Sequence, residues 1–225
     1  SLHIPDGFIN GATSAGFGVA AAGGVGAALR QTGKYLSERQ VPLAGLVAAF
    51  VFAAQMVNFP VVSGMSGHLL GGVLAAVLVG PWAGFVVVAV VLLVQGIFFA
   101  DGGLSALGLN IVNLGFIGAV GGYAIYRALL RALPKNQRGV IVSAGIAAGI
   151  AVPLAALGFV IQYAIGGTVD ISMGTVLTAM LGTHVLIGIG EGIITAFVIA
   201  AVVRSRPDLV YGAPQYTGVR TEVLS

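Results

Sequence analysis

Apolar runs of about 20 residues, the length an α-helix needs to cross a bilayer, recur from one end of this chain to the other. The polar residues needed to cover such runs in water are missing. Only 8% of the 225 residues are charged and 58% are hydrophobic, whereas soluble domains carry about a quarter charged residues. Mean hydropathy is +1.05. Glycine reaches 36 residues, which suits helices that approach closely in lipid. Cysteine is absent, which removes disulfides, zinc–thiolate sites and thiol catalysis.

The runs fall into seven segments. The first covers about Phe8–Leu29 and the second Val41–Phe59. The stretch from His68 to Phe99 is too long for one upright helix, and Gly80-Pro81 divides it, since proline removes a backbone donor and clashes with the preceding turn. A short helix over His68–Val79 and a full one over Trp82–Phe99 are expected. A fifth span covers Leu107–Tyr126, a sixth Val140–Ile165 and a seventh Thr175–Val203, the last two long enough to tilt. The organisation expected is one transmembrane substrate-binding domain over residues 1–206 and a short cytoplasmic tail over 207–225. The start of the chain has no basic segment ahead of its first apolar run, so a cleaved signal peptide is not expected.

Charge gives the orientation. Arg30, Lys34 and Arg39 follow span one, Arg127, Arg131, Lys135 and Arg138 follow span five, and Arg204, Arg206 and Arg220 follow span seven. With Gly80-Pro81 as a reversal, all ten basic residues lie on one side, while Asp6, Asp101 and Asp170 lie opposite. By the positive-inside rule the basic side is cytoplasmic. The reading is an all-α polytopic membrane protein of about seven transmembrane helices, N-terminus outside and C-terminus cytoplasmic. The net charge of +3 then reflects membrane orientation, and no nucleic-acid partner is expected.

Chemistry has few carriers in such a chain. The three histidines are His3, His68 and His184. A terminal amine followed by two amides and a histidine at position three can surround a metal with four nitrogens in a plane, an arrangement suited to Ni(II) or Cu(II). Ser1, Leu2 and His3 have this form; the alternative is that His3 is an ordinary solvated residue. His68 stands at a helix start after a glycine-bearing loop, Val62-Ser63-Gly64-Met65, either as a functional group at the membrane interface or as a residue bonded to nearby backbone. Gln55 and Asn58 lie close by in sequence and can support a ligand or bind helices together. Asp101 can attract cations or cap its loop. His184 and Glu191 share one face of span seven, where hydrogen bonding and packing are the expected roles. There is no phosphate-binding loop, no HExxH and no legible Ser/His/Asp arrangement, so an enzyme is not expected.

Several motifs in order carry a resemblance. They are His3-Ile4-Pro5-Asp6-Gly7-Phe8, Gln55-x-x-Asn58-Phe59-Pro60, Ser66-Gly67-His68-Leu69-Leu70-Gly71-Gly72 and Gly80-Pro81-Trp82-Ala83-Gly84. Phe99-Ala100-Asp101-Gly102-Gly103, Ala106-Leu107-Gly108-x-Asn110 and Gly188-Ile189-Gly190-Glu191-Gly192 follow. From His3 to about Val203 the chain resembles the CbiM/NikM family, the substrate-binding membrane subunits of energy-coupling factor (ECF) importers for cobalt and nickel. The resemblance implies seven helices and an N-terminus tucked in from outside. It also implies a metal held by the terminal amine, a backbone nitrogen near the terminus and two histidines, which map to His3 and His68. The metal set expected is thus Ser1, Leu2, His3 and His68, with Asp6, Gln55, Asn58, Ser66 and Asp101 as supporting residues.

The family usually begins Met-His, whereas Ser1-Leu2 precede His3 here. No catalytic cofactor is implied; the ligand is transported Ni(II) or Co(II), with nickel slightly favoured by a planar nitrogen set. Partners implied are a transmembrane coupling subunit, two cytoplasmic ATPase subunits and a small accessory membrane subunit. An autonomous channel or secondary carrier for a small solute is the competing function, and neighbouring genes for an ATPase and a coupling subunit would discriminate the two.

Overall fold

The computed structural model describes residues 2–36, 40–62 and 65–211, and for 59–62, 65 and 66 the backbone alone. Seven helices follow one another among these residues. They are α1 (Gly11–Tyr35), α2 (Val41–Met56), α3 (Gly72–Val79), α4 (Pro81–Phe98), α5 (Leu107–Ala132), α6 (Gln137–Gly166) and α7 (Met173–Ser205). All but α2 and α3 are long and apolar enough to cross a membrane.

Local chemistry explains the ends. Asn10 accepts from the Thr13 N–H at the start of α1, and Asn136 and Ser172 do the same for α6 and α7, satisfying donors that a helix start leaves open. Between α3 and α4 the chain reverses at Gly80, whose φ of +92° is open to a residue without Cβ. Pro81 then occupies the first position of α4, where its missing N–H is no loss. α3 has 8 residues, about 12 Å of helix, so it is a half-span, and every one of those residues is buried.

Two features depart from simple helices. Between α2 and α3 an antiparallel hairpin pairs β1 (Phe59–Val62) with β2 (Met65–Gly67). In α5, residues Ile111–Gly121 form a π-helix, and the Gln162 side chain of α6 donates to the carbonyl of Leu109 just ahead of it.

The exterior of this molecule is apolar, unlike that of a soluble protein, and its largely apolar core also holds amides and a hydroxyl. Val19, Leu46, Phe98 and Phe197 are each more than two-thirds exposed, while Gln55, Gln95, Asn113 and Ser143 are fully buried. That distribution fits lipid outside and polar pairs within. Helices α6 and α7 meet along glycines: a Cβ on Gly188 would stand 2.5 Å from the Gly149 carbonyl, and one on Gly192 would stand 2.7 Å from that of Gly145. The Gly149 carbonyl is also the one that Pro153 leaves without its helical donor.

The basic ends of α1 and α5 meet at one end of the bundle, where Lys34, Trp82, Tyr123, Arg127 and Tyr211 line a cleft beside the α3–α4 turn. Tyr35 there accepts from the Ala83 N–H, and the Tyr211 N–H donates to the Val77 carbonyl. A 3-10 turn over Pro207–Leu209 precedes Tyr211.

Candidate metal centre

The N-terminal segment enters the fold as an extended strap. Leu2 and Ile4 are buried, and the backbone around them has no helix or strand of its own, so its polar groups need other partners. The α4–α5 connection supplies them. The Ile4 N–H donates to Asn110 Oδ1 at 2.8 Å, and Asn110 Nδ2 donates back to the Ile4 carbonyl at 3.3 Å. Asn110 thereby does for one residue what a neighbouring strand would do. The Gly103 N–H also reaches the Ile4 carbonyl, at 2.8 Å. Asp6 Oδ1 accepts from both the Ser105 N–H and its hydroxyl. These two bonds hold the exposed Asp6 carboxyl below the usual carboxylate range. Gly103 is required here, because a Cβ would lie 2.3 Å from the Asp6 nitrogen.

The strap delivers His3 to His68. The two imidazoles lie with ring centroids 4.6 Å apart and planes inclined by 41°, and both residues are buried. His3 Nδ1 donates to Asp101 Oδ1 at 2.8 Å, and His68 Nδ1 donates to the Leu69 carbonyl at 2.9 Å. Both partners can only accept, so in its neutral form each ring carries its proton on Nδ1 and its lone pair on Nε2. The bond from His3 is also the main reason that Asp101 is held below the usual carboxylate range. A carboxylate, a histidine and a metal in sequence is a common way to orient a ligand. Closing a chelate ring on the His3 amide, however, takes Nδ1 of the same residue, the atom that donates to Asp101. Binding in that planar mode requires the Asp101 hydrogen bond to be exchanged for the metal.

The other expected residues distribute as follows. Gln55 is buried and donates to the Leu70 carbonyl at 2.7 Å, beside His68. Asn58 is exposed. Asp6 acts on the strap through Ser105 and not on either imidazole. Ser1 lies outside the described residues, as does the side chain of Ser66. Among the described residues no three His, Cys, Asp or Glu side chains form a metal cluster, so a metal at the His3–His68 pair would need backbone or terminal nitrogens in addition. His184 lies apart, with Nδ1 donating to the Met180 carbonyl. Glu191 accepts hydrogen bonds from the backbone after His68 and does not pair with His184. Asn110, absent from the expected site although it stands in the Ala106-Leu107-Gly108-x-Asn110 motif, is the side chain that pairs with both polar groups of Ile4.

A bundle of apolar helices with a buried histidine pair at one end and basic residues at the other defines a multi-pass membrane protein. Comparison with known proteins is more specific. Residues 3–209 match the family model described as the cobalt uptake substrate-specific transmembrane region, CbiM. The fused nickel transport protein NikMN of Rhodobacter capsulatus is 36% identical over 221 residues, 93% of this chain and 64% of that protein. The cobalt transport protein CbiM of Sorangium cellulosum is 34% identical over 175 residues, covering 75% of this chain and 76% of that one. The crystal structure of a truncated transition metal transporter superposes with a TM-score of 0.81 at 29% identity, covering 90% of this chain and 98% of that one. This chain belongs to the CbiM family. It is a membrane component of nickel or cobalt transport, not an enzyme, and its family works within a transporter of several subunits.

Proposed function

We propose that this chain is the binding subunit of an ECF-type ABC importer and captures Ni(II) or Co(II) at the outer face of the membrane. The observation that carries this reading is the pair of buried imidazoles, His3 and His68, 4.6 Å apart between ring centroids, with a carboxylate on the first. In a chain that begins at Ser1, the terminal amine and the backbone nitrogens near Leu2 complete a nitrogen set. Nitrogen donors suit borderline metals, whereas magnesium and calcium take oxygen. In the planar mode, in which His3 Nδ1 exchanges Asp101 for the metal, a set of four nitrogens slightly favours nickel. The N-terminus and the histidine pair lie outside and the C-terminus lies in the cytoplasm, because the basic residues gather at the opposite end. Residues 1–206 form the binding domain and 207–225 a cytoplasmic tail. A coupling subunit in the membrane, two ATPase subunits and a small accessory membrane subunit complete the importer.

Equilibrating the purified chain with Ni(II), Co(II), Mg(II) and Ca(II) together, then analysing the retained metal, tests the capture step. Retention of nickel or cobalt, with magnesium and calcium left behind, is the expected result. Retention of no transition metal would remove the reading and favour an autonomous channel or carrier for another solute.

A further inference from the structure

Residues 68–71 form a buried stretch with no regular secondary structure, ending at the left-handed Gly71 (φ +72°) that caps α3. Such backbone inside an apolar bundle must find its hydrogen bonds elsewhere. Here they come from two distant side chains. Gln55 of α2 holds the Leu70 carbonyl. Glu191 of α7 takes the Leu70 N–H on Oε2 at 2.7 Å and the Gly71 N–H on Oε1 at 2.6 Å, across 121 and 120 positions of sequence. Both N–H groups reach the one carboxylate; Gly71 is left-handed, and a Cβ there would stand 2.9 Å from the Val51 side chain.

We propose that Glu191 is a positioning residue for metal capture, a fixed post on which the loop bearing His68 is hung. The proposal rests on the reading of His68 as a metal ligand. His68 directs its ring through Nδ1 to the carbonyl of Leu69, and Leu69 is followed at once by the two N–H groups that Glu191 holds. The carboxylate therefore fixes the peptide frame from which the ring is aimed. It sits at the N-terminus of α3, where negative charge is favoured. The post is firm because α7 is pressed against α6 at Gly188 and Gly192, on either side of Glu191. The geometry also explains why a carboxylate stands here. Two N–H groups need two acceptor oxygens, and glutamine of the same length has one acceptor and a second group that only donates.

The test is nickel titration of the purified full-length chain carrying Glu191→Gln, with the visible absorption spectrum of the Co(II)-loaded form as a reporter of ligand geometry. The expected result is an affinity about 10–100-fold lower, the range for loss of groups that orient metal ligands, together with a shifted cobalt band. Thr195→Val, also buried on α7, controls for a general loss of packing and is expected to leave the band in place. If Glu191→Gln keeps the wild-type affinity and band, or loses affinity only as Thr195→Val does with the band unmoved, the proposal is overturned. Should Glu191→Gln fail to fold, Glu191→Asp keeps both oxygens on a shorter stem. A shifted band supports the proposal in that variant, and an unmoved band overturns it. A His68→Ala variant separates the two readings. Unchanged nickel affinity there sinks the ligand assignment itself, whereas lost affinity there with intact Glu191 variants sinks only the positioning role.

Discussion

Asn110 shows how one side chain can carry the geometry of a site without touching its ligand. It pairs with both the N–H and the carbonyl of Ile4, the residue next to His3, and Asp101 takes the His3 ring itself. Replacing Asn110 with alanine leaves the buried Ile4 N–H without an acceptor, at a cost of about 1–3 kcal/mol. We expect Asn110→Ala to lower nickel affinity by up to about a hundredfold, since about 1.4 kcal/mol corresponds to one decade. Titration checks it, and unchanged affinity would mean that the strap does not position His3. The sequence makes His3, His68 and Asp101 visible because ionisable residues are scarce in so apolar a chain. Asn110 stands there in a motif, but its role is not legible, because its partner lies 106 positions away.

At the scale of elements, hydropathy located the helices and chemistry at the ends located their limits less well. The first apolar run was read as Phe8–Leu29, yet α1 spans Gly11–Tyr35. Asn10 caps its start, and the chain before it is pinned elsewhere: the Asn10 N–H donates to the Gly166 carbonyl and the Thr168 N–H to that of Phe8. The second apolar run extends to Phe59, whereas α2 ends at Met56 and the chain enters a hairpin. The third begins at His68, and α3 begins four positions later at Gly72. That last difference matters for function. Residues 68–71 stand outside the helix, and the carboxylate of Glu191 takes the N–H groups of Leu70 and Gly71. The Gly80-Pro81 reversal was legible because proline and glycine constrain the backbone directly. The π-helical stretch of α5 was not, since its apolar residues carry no proline and fit an ordinary helix equally well.

The whole molecule is organised end to end. The histidine pair occupies one end, Lys34 and Arg127 flank a cleft at the other, and the flanks between expose apolar side chains such as Val19, Ile189 and Phe197. In the proposed orientation, with the basic end in the cytoplasm, reporter fusions at Asp101 and Lys135 are expected to read out on opposite sides. Both reporters on one side would sink the seven-span topology. The α6–α7 packing and the contact between the His68 loop and α7 were not legible in the sequence, because they join residues far apart in the chain through glycine contacts and single hydrogen bonds.

The central claim is that His3 and His68 together hold the transported metal, and titration calorimetry of nickel into the purified chain tests it most directly. His3→Ala and His68→Ala are each expected to weaken binding by at least the roughly 10–100-fold seen when a group that merely orients a ligand is lost. His184→Ala, whose ring is engaged with its own helix, is expected to have a smaller effect, and N-acetylation of the chain beginning at Ser1 an effect comparable to loss of a histidine. Nickel affinity left unchanged by both His3→Ala and N-acetylation would contradict the N-terminal site, and the surroundings of Glu191 would then become the place to look for the metal.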